Sequence, residues 1–255
     1  MSVADAINAG LGDGFSVRSA ATTYPDGWRL DRHDHPWGQL AFCNSGVMRV
    51  ASDAAAWLSP PTRAIWLPAG APHEIVMQGE VASRFLYIAP ELAAPLPCKP
   101  RVLEVVPLLR ELILHILRIR MLDPRRPEHD RLAGLLIDLL VEARPLDLAL
   151  PLPRDRRALA LAERVQAAPA EPASLADLAR HAGASLRTLQ RLFPAEAGLT
   201  LVAWRQKARL IAGAASLSAG VPVTATALDC GYESPSAFIT AFRRQFGVTP
   251  GRFQP

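Results

Sequence analysis

The chain has 255 residues, half of them hydrophobic, which allows two modest domains with their own cores and excludes a disordered polymer. Its net charge of +4 is uneven: residues 1–153 carry 15 Lys+Arg against 17 Asp+Glu, and residues 154–255 carry 13 against 7. The basic half suits a polyanion, nucleic acid being the commonest large one, although a solvated arginine-rich surface has the same balance.

The opening stretch "MSVADAINAGLGDGF" has no basic segment followed by an apolar one, so no signal peptide is expected. Cys43, Cys98 and Cys230 form no spaced pair and suit buried thiols in a reducing cytoplasm. Residues 15–90 hold short apolar runs, "GQLAFCN", "GVMRVAS", "RAIWLP" and "SRFLYIA", divided by Gly, Pro and Asp. That cadence predicts a small antiparallel barrel or sandwich.

Two segments of this half carry chemistry. "RHDHPWGQLAFCNSGVMRV" holds His33 and His35, with Gln39 four residues after His35; "RAIWLPAGAPHEIVM" holds Pro68, Gly70, Pro72 and His73. Residues i and i+2 of a strand share a face, so His33 and His35 are expected to converge inside the barrel and Asp34 to point to solvent. The two segments resemble the paired motifs of cupin barrels, where a His-x-His pair, an acid and a later histidine surround a metal. The resemblance implies a site at His33, His35 and His73 for a divalent ion such as Zn, but Gln39 stands where the acid is expected and is a poor ligand. Hydrogen-bonding pocket walls are the alternative role for the three histidines. Trp28, Trp37, Trp57 and Trp66 all lie in this half. They suit either a cavity for a planar organic effector or ordinary packing. The candidate effector contacts are His33, His35, Trp37, Gln39, Trp66 and His73.

A proline-rich passage, "APELAAPLPCKP", closes the strands. "RVLEVVPLLRELILHILRIRML" and "PEHDRLAGLLIDLLVEA" then repeat apolar residues every three or four positions, with "DPRRP" between them. They predict an antiparallel helix pair too apolar to be covered on one side only, so the barrel or a partner subunit must bury the rest. Charges inside "VVPLLRELILHILRI" argue against a membrane span. "RPLDLALPLPRD", residues 144–155, is expected to be a proline-stiffened linker.

The last hundred residues predict helices at 156–167, 174–181, 185–193, 200–217, 223–230 and 235–246, with a final turn after Pro250. Two of these pairs repeat. Ala179 and Gly183 match Ala227 and Gly231 at an offset of 48; Ser185, Leu189 and Phe193 match Ser234, Phe238 and Phe242 at an offset of 49. Ser174 can cap the first short helix with Asp177 in a variant capping box, and Gly183 supplies the left-handed exit. In the next helix Leu186, Leu189, Leu192 and Phe193 turn inward, leaving Arg187, Thr188, Gln190 and Arg191 outside. One face packs and the other can enter a major groove, where Arg grips guanine and Gln grips adenine bidentately. The corresponding outward set in the second unit is Ser236, Ala237, Ile239 and Thr240, then Arg243 and Arg244. Roughly 18 helical residues between the units would span about 27 Å, near the ~34 Å repeat of a groove on one side of B-DNA. Arg205, Lys207 and Arg209 on that helix are candidates for phosphate, or for plain solvated charge.

These residues resemble the DNA-binding domain of AraC-type transcription regulators. The more specific stretch is the second: Gly231-Tyr232, Ser-x-Ser-x-Phe from Ser234, "FRRQFG" and "TPGRF". The resemblance implies two recognition helices in the major groove, with Arg187, Gln190 and Arg191 on bases, Ser236, Ala237 and Thr240 facing bases, and Arg243 nearer phosphate. The short side chains of the second helix depart from the pattern, so the first is expected to discriminate more. Pro194 stands where a basic residue commonly follows and is expected to shorten the first recognition helix. The fold class is therefore α+β multidomain: residues 1–100 a cupin-like sensing barrel, 101–143 a helical dimerisation segment, 144–155 a linker, 156–255 the double helix–turn–helix domain. The function expected is a cytoplasmic, effector-controlled regulator that binds double-stranded promoter DNA as a homodimer, with RNA polymerase a further partner. A metal-dependent cupin dioxygenase or isomerase with a helical appendage is the alternative.

Overall fold

The computed structural model describes residues 13–254. Most of the stretch read for a leader, residues 1–12, lies outside them. The chain divides into two compact units: residues up to Val50 with Ser59–Leu146, and Ala51–Leu58 with Asp147 onward.

The first unit contains β1 (Val17–Tyr24), β2 (Arg29–His33), β3 (Gly38–Cys43), β4 (Val47–Ala51), β6 (Arg63–Leu67), β7 (His73–Gln78), β8 (Val81–Ile88), β9 (Arg101–Glu104), β10 (Met121–Leu122) and β11 (Pro145–Leu146). Seven form one antiparallel sheet in the order β10-β1-β8-β3-β6-β9-β11. β4, β7 and β2 lie side by side in the other. β5 (Ala55–Ser59) pairs with β12 (Ala149–Pro151). The helices here are α1 (Pro90–Ala93), α2 (Pro107–Ile119) and α3 (Pro127–Glu142).

β3, "GQLAFC", is buried at every position, because its sheet is covered on both faces. Leu40 and Phe42 join Ala64, Trp66, Leu86 and Ile88 under α2 and α3, whose Leu109, Leu112, Ile113, Ile116, Leu136, Ile137 and Leu140 cover them. The alternate residues Gln39, Ala41, Ile65, Leu67, Phe85 and Tyr87 form the opposite face, also buried. Each such aliphatic or aromatic burial stabilises the unit by roughly 1.5–3 kcal/mol. The flanks of the expected helix pair are not helical: 101–104 and 121–122 are strands, and Pro107 and Pro127 start the helices at their first turns. Arg120, between α2 and β10, holds a positive φ of 75°, fixed by its carbonyl accepting from the backbone N–H and hydroxyl of Ser19.

The second unit adds α4 (Arg156–Ala167), α5 (Leu175–His181), α6 (Leu186–Ala197), α7 (Leu201–Ser218), α8 (Val223–Asp229), α9 (Pro235–Phe246) and a 3₁₀ turn at Pro250–Phe253. Asp155, Ser174, Ser185, Thr200 and Ser234 each cap the next helix by accepting a backbone N–H. One lobe packs Phe193 edge-on to Trp204, and the other packs Phe238, Phe242, Phe246 and Phe253 together. α7 runs unbroken through both lobes. Its Gly213 brings the backbone against Cys230 and Phe238, where a Cβ would sit 3.0 Å from each. Pro194 does not shorten the recognition helix. It lies inside α6, which continues to Ala197 and ends at left-handed Gly198. The rigid ring costs one N–H donor, and the helix is held by Leu192, Phe193 and Ala197 beneath it. Cys43 and Cys230 are buried and their thiols pushed up to about 12 and about 11 by burial; Cys98, against expectation, is exposed. Among the described residues no helix is long and apolar enough to cross a membrane.

Candidate functional site

Two constellations stand out. The first is the outer surface of the repeated helix pairs. In α5 and α6, Leu178, Ala179, Leu189, Leu192 and Phe193 are buried, and Gly183 makes the turn at φ 69°. Ser174 accepts from the Asp177 N–H while its hydroxyl donates to the Asp177 carboxylate at 2.6 Å, so the box is closed from both ends. Arg187, Gln190 and Arg191 are exposed on the opposite face. Thr188 is half-buried, its hydroxyl 2.9 Å from that of the cap Ser185. It serves the helix start as much as the outer surface.

In the second unit Ser236, Ala237, Thr240, Arg243 and Arg244 are all exposed. The Thr240 hydroxyl donates to the Ser236 carbonyl at 2.9 Å, which leaves it only an acceptor to offer. The two arginines sit in the last turn of α9, where cations complement the helix dipole. A surface groove is lined by Gln206, Tyr232, Ser236, Ala237, Thr240 and Arg244. Gln206 was not singled out from sequence. Its place beside the second recognition helix depends on how α7 packs, which spacing alone does not give.

The cations of α7 have other partners. Arg205 donates to the Glu171 carbonyl at 2.7 Å, and Arg209 to the Pro169 carbonyl at 2.9 Å. Lys207 is held by both carboxylate oxygens of Asp147, at 2.7 and 2.8 Å, and Gln245 donates to the same group at 3.0 Å. These side chains fasten the 169–171 loop and residue 147. They are not free phosphate contacts, whereas Arg243 and Arg244 are exposed.

The second constellation is the histidine cluster. One ring nitrogen from each of His33, His35 and His73 lies within 4.8 Å of the other two. The rings are brought together differently from the expected strand alternation. His33 ends β2 opposite His73 of β7, but His35 lies beyond the strand, in the irregular segment between β2 and β3. His35 and His73 are buried, His33 half-buried and Asp34 exposed. In each ring Nδ1 meets a backbone carbonyl: Asp31 at 2.7 Å, Trp37 at 2.6 Å and Ala71 at 2.8 Å. A carbonyl only accepts, so Nδ1 carries a proton in each ring, and in a neutral ring Nε2 keeps its lone pair. Burial holds the His73 imidazole down to about 4, hence neutral. Its Nε2 is buried with no hydrogen-bond partner. Such an unmet group costs about 1–3 kcal/mol. His35 Nε2 lies 3.1 Å from Gln39 Oε1, and the Gln39 amide nitrogen donates to the Tyr87 hydroxyl at 3.3 Å.

Trp37 and Trp66 do not complete this cluster. Trp66 lies on the helix-covered face of its sheet, its indole donating to the Pro97 carbonyl at 2.8 Å and its ring lying against Gly38. Gln39 pairs with Leu67 and Leu40 with Trp66, so a shift of one residue puts Gln39 and Trp66 on opposite faces. The Trp37 ring is buried under the Arg18 guanidinium, 5.3 Å away, and its backbone carbonyl accepts from His35 Nδ1. Tyr87 is the member that sequence missed. It stands opposite Gln39 across β3 and β8, a pairing over 48 residues that no local pattern announces.

A family described as "AraC-like ligand binding domain" matches residues 18–162, and one described as "Helix-turn-helix domain" matches residues 178–255. The HTH-type transcriptional regulator NimR of Escherichia coli (strain K12) is 33% identical over 221 residues, which are 87% of this chain and 81% of that protein. The HTH-type transcriptional regulator RipA of Corynebacterium glutamicum is 36% identical over 103 residues, 40% of this chain and 31% of its own length. Among solved structures, ToxT from Vibrio cholerae O395 aligns over 93% of this chain and 96% of its own at 11% identity, with a TM-score of 0.40. The ligand-domain match covers more than half the chain and NimR most of it, so this chain belongs to the AraC family of transcription regulators, with a ligand-binding domain followed by a helix–turn–helix DNA-binding domain.

Proposed function

We propose that each chain reads promoter DNA with two unequal heads. Arg187, Gln190 and Arg191 face bases, with Thr188 at the edge of that surface; Ser236, Ala237 and Thr240 approach a second groove segment closely; Arg243 and Arg244 hold phosphate. The observation that supports this most is the exposure of these side chains on two capped helices joined by unbroken α7. A small organic effector bound by the N-terminal unit controls the protein, provided it binds two states of the chain with different affinity. Exposed Leu108 on α2 and Leu135 and Val141 on α3 form the apolar surface of a homodimer. The protein works in the cytoplasm and contacts RNA polymerase when bound beside a promoter. It is not an enzyme: the metal-dependent alternative needs an acid where neutral Gln39 stands.

The test is a backbone-cleavage footprint on duplex DNA from upstream of the protein's own gene. Two protected patches on one side of the duplex, about 10–10.5 base pairs apart, are expected for each chain. A single patch, or protection with no fixed position, would overturn the two-headed reading.

A further inference from the structure

The second unit holds a cavity of about 290 Å³, lined by Leu175 at the start of α5, by the α7 stripe Val202, Arg205, Gln206 and Arg209, and by Gly231 and Tyr232. We propose that it binds a free small dianion of the phosphate-monoester kind, a ligand separate from the duplex and from the N-terminal effector. Three observations carry it. First, Arg205 and Arg209 stand one turn apart on α7 and are fastened without being neutralised. Their bonds run to the backbone carbonyls of Glu171 and Pro169, which orient a guanidinium but bring no net charge. The Glu171 carboxylate gives both oxygens to Arg164. Like charges at this spacing repel. Burial, and then the Arg209 charge, hold the Arg205 guanidinium below its ordinary value.

Second, donors are left over. Arg205 Nε and the Tyr232 hydroxyl are buried without a hydrogen-bond partner, the Gln206 amide lying beside the phenol. A duplex resting on the surface does not reach buried donors, whereas a small molecule entering the cavity can. Third, Gly231 keeps the Arg209 guanidinium uncovered: a Cβ there would lie 3.3 Å from its Cζ and Nη2. Two fixed guanidiniums match two negative charges, and their N–H forks suit phosphate oxygens. The volume lies at the lower end for small-ligand cavities. Leu175, Val202 and the Tyr232 ring offer an apolar wall to a short organic group. Gln206 and Tyr232 also line the groove beside α9, so a ligand here shares a wall with the second recognition helix.

The site does not rest on the DNA reading and is tested without DNA. Full-length protein is titrated calorimetrically with inorganic phosphate, phenyl phosphate or acetate. One phosphate per chain at about 1 mM or tighter, tighter phenyl phosphate and no saturable acetate binding are expected. Tyr232→Phe loses only a hydroxyl without a partner, so it should keep the wild-type far-UV spectrum and weaken phosphate roughly 10-fold. Arg209→Gln should abolish binding if it folds, and Arg252→Gln, an exposed arginine outside the cavity, should bind as wild type does. No saturable phosphate binding, or wild-type affinity in Tyr232→Phe, would overturn the site. Loss of duplex affinity in Arg209→Gln without any binding of free phosphate would also overturn it, by giving the cavity to the DNA backbone.

Discussion

The two helix–turn–helix units of this chain agree on the inside and differ on the outside. Leu189 and Phe193 in α6 and Phe238 and Phe242 in α9 fill matching buried positions, and Ser185 and Ser234 cap matching helix starts. Packing and capping leave little choice there, since a lost ring or hydroxyl costs stability in either copy. The outward faces are under no such constraint. The first offers Arg187, Gln190 and Arg191, long groups of the kind that can bond base edges. The second offers Ser236, Ala237 and Thr240, short groups that let the backbone come close, followed by Arg243 and Arg244. A repeated unit can thus keep its scaffold while the two outward faces diverge, and the proposed reading gives discrimination to the first and grip to the second.

The comparison can be broken or sharpened by substitution. The largest effect is expected on the shared scaffold: Phe193→Ala and Phe242→Ala should each cost about 3–5 kcal/mol in urea denaturation. A large asymmetry between the two would mean that the lobes are not equivalent in packing. Arg191→Ala comes next, with a loss of about 1–3 kcal/mol on the preferred duplex and a relaxed base preference. Ser185→Ala and Ser234→Ala should each cost about 1 kcal/mol of stability, as N-cap losses do. A near-zero value at Ser234 would show that Pro235 fixes that helix start without the hydroxyl. Thr240→Ala should be the mildest, within about 0.5 kcal/mol of wild type in stability, because the side chain is exposed and its bond to the carbonyl four residues back adds little to a helix. A strong loss of DNA affinity there would promote the second helix to a base reader.

What was legible in the sequence was local. Caps, left-handed glycines and the 48- and 49-residue offsets placed the helices of the second unit within a few residues, since each signal lies within one turn of the feature it marks. The motif that suggested the family lies in the segment that the helix–turn–helix family matches. What failed depended on register or on distant packing. Trp66 is one residue out of step with the face that holds Gln39, a parity that only the β3–β6 pairing fixes. Tyr87 enters through the β3–β8 pairing. His35 reaches its neighbours from irregular backbone beyond the strand. Lys207 pairs with Asp147, 60 residues away in the chain, which helical position alone does not reveal. Pro194 breaks many isolated helices, and here a buried face beneath α6 outweighs its missing donor.

The division of labour between the two heads is tested most directly by one titration series. Wild type, Arg191→Ala and Arg244→Ala are titrated on the preferred duplex and on a scrambled one at several salt concentrations. The account predicts that Arg191→Ala lowers the ratio of specific to scrambled affinity roughly 10-fold or more, whereas Arg244→Ala weakens both duplexes alike and reduces the salt slope by about 1. Equal losses on both duplexes for both variants would contradict it.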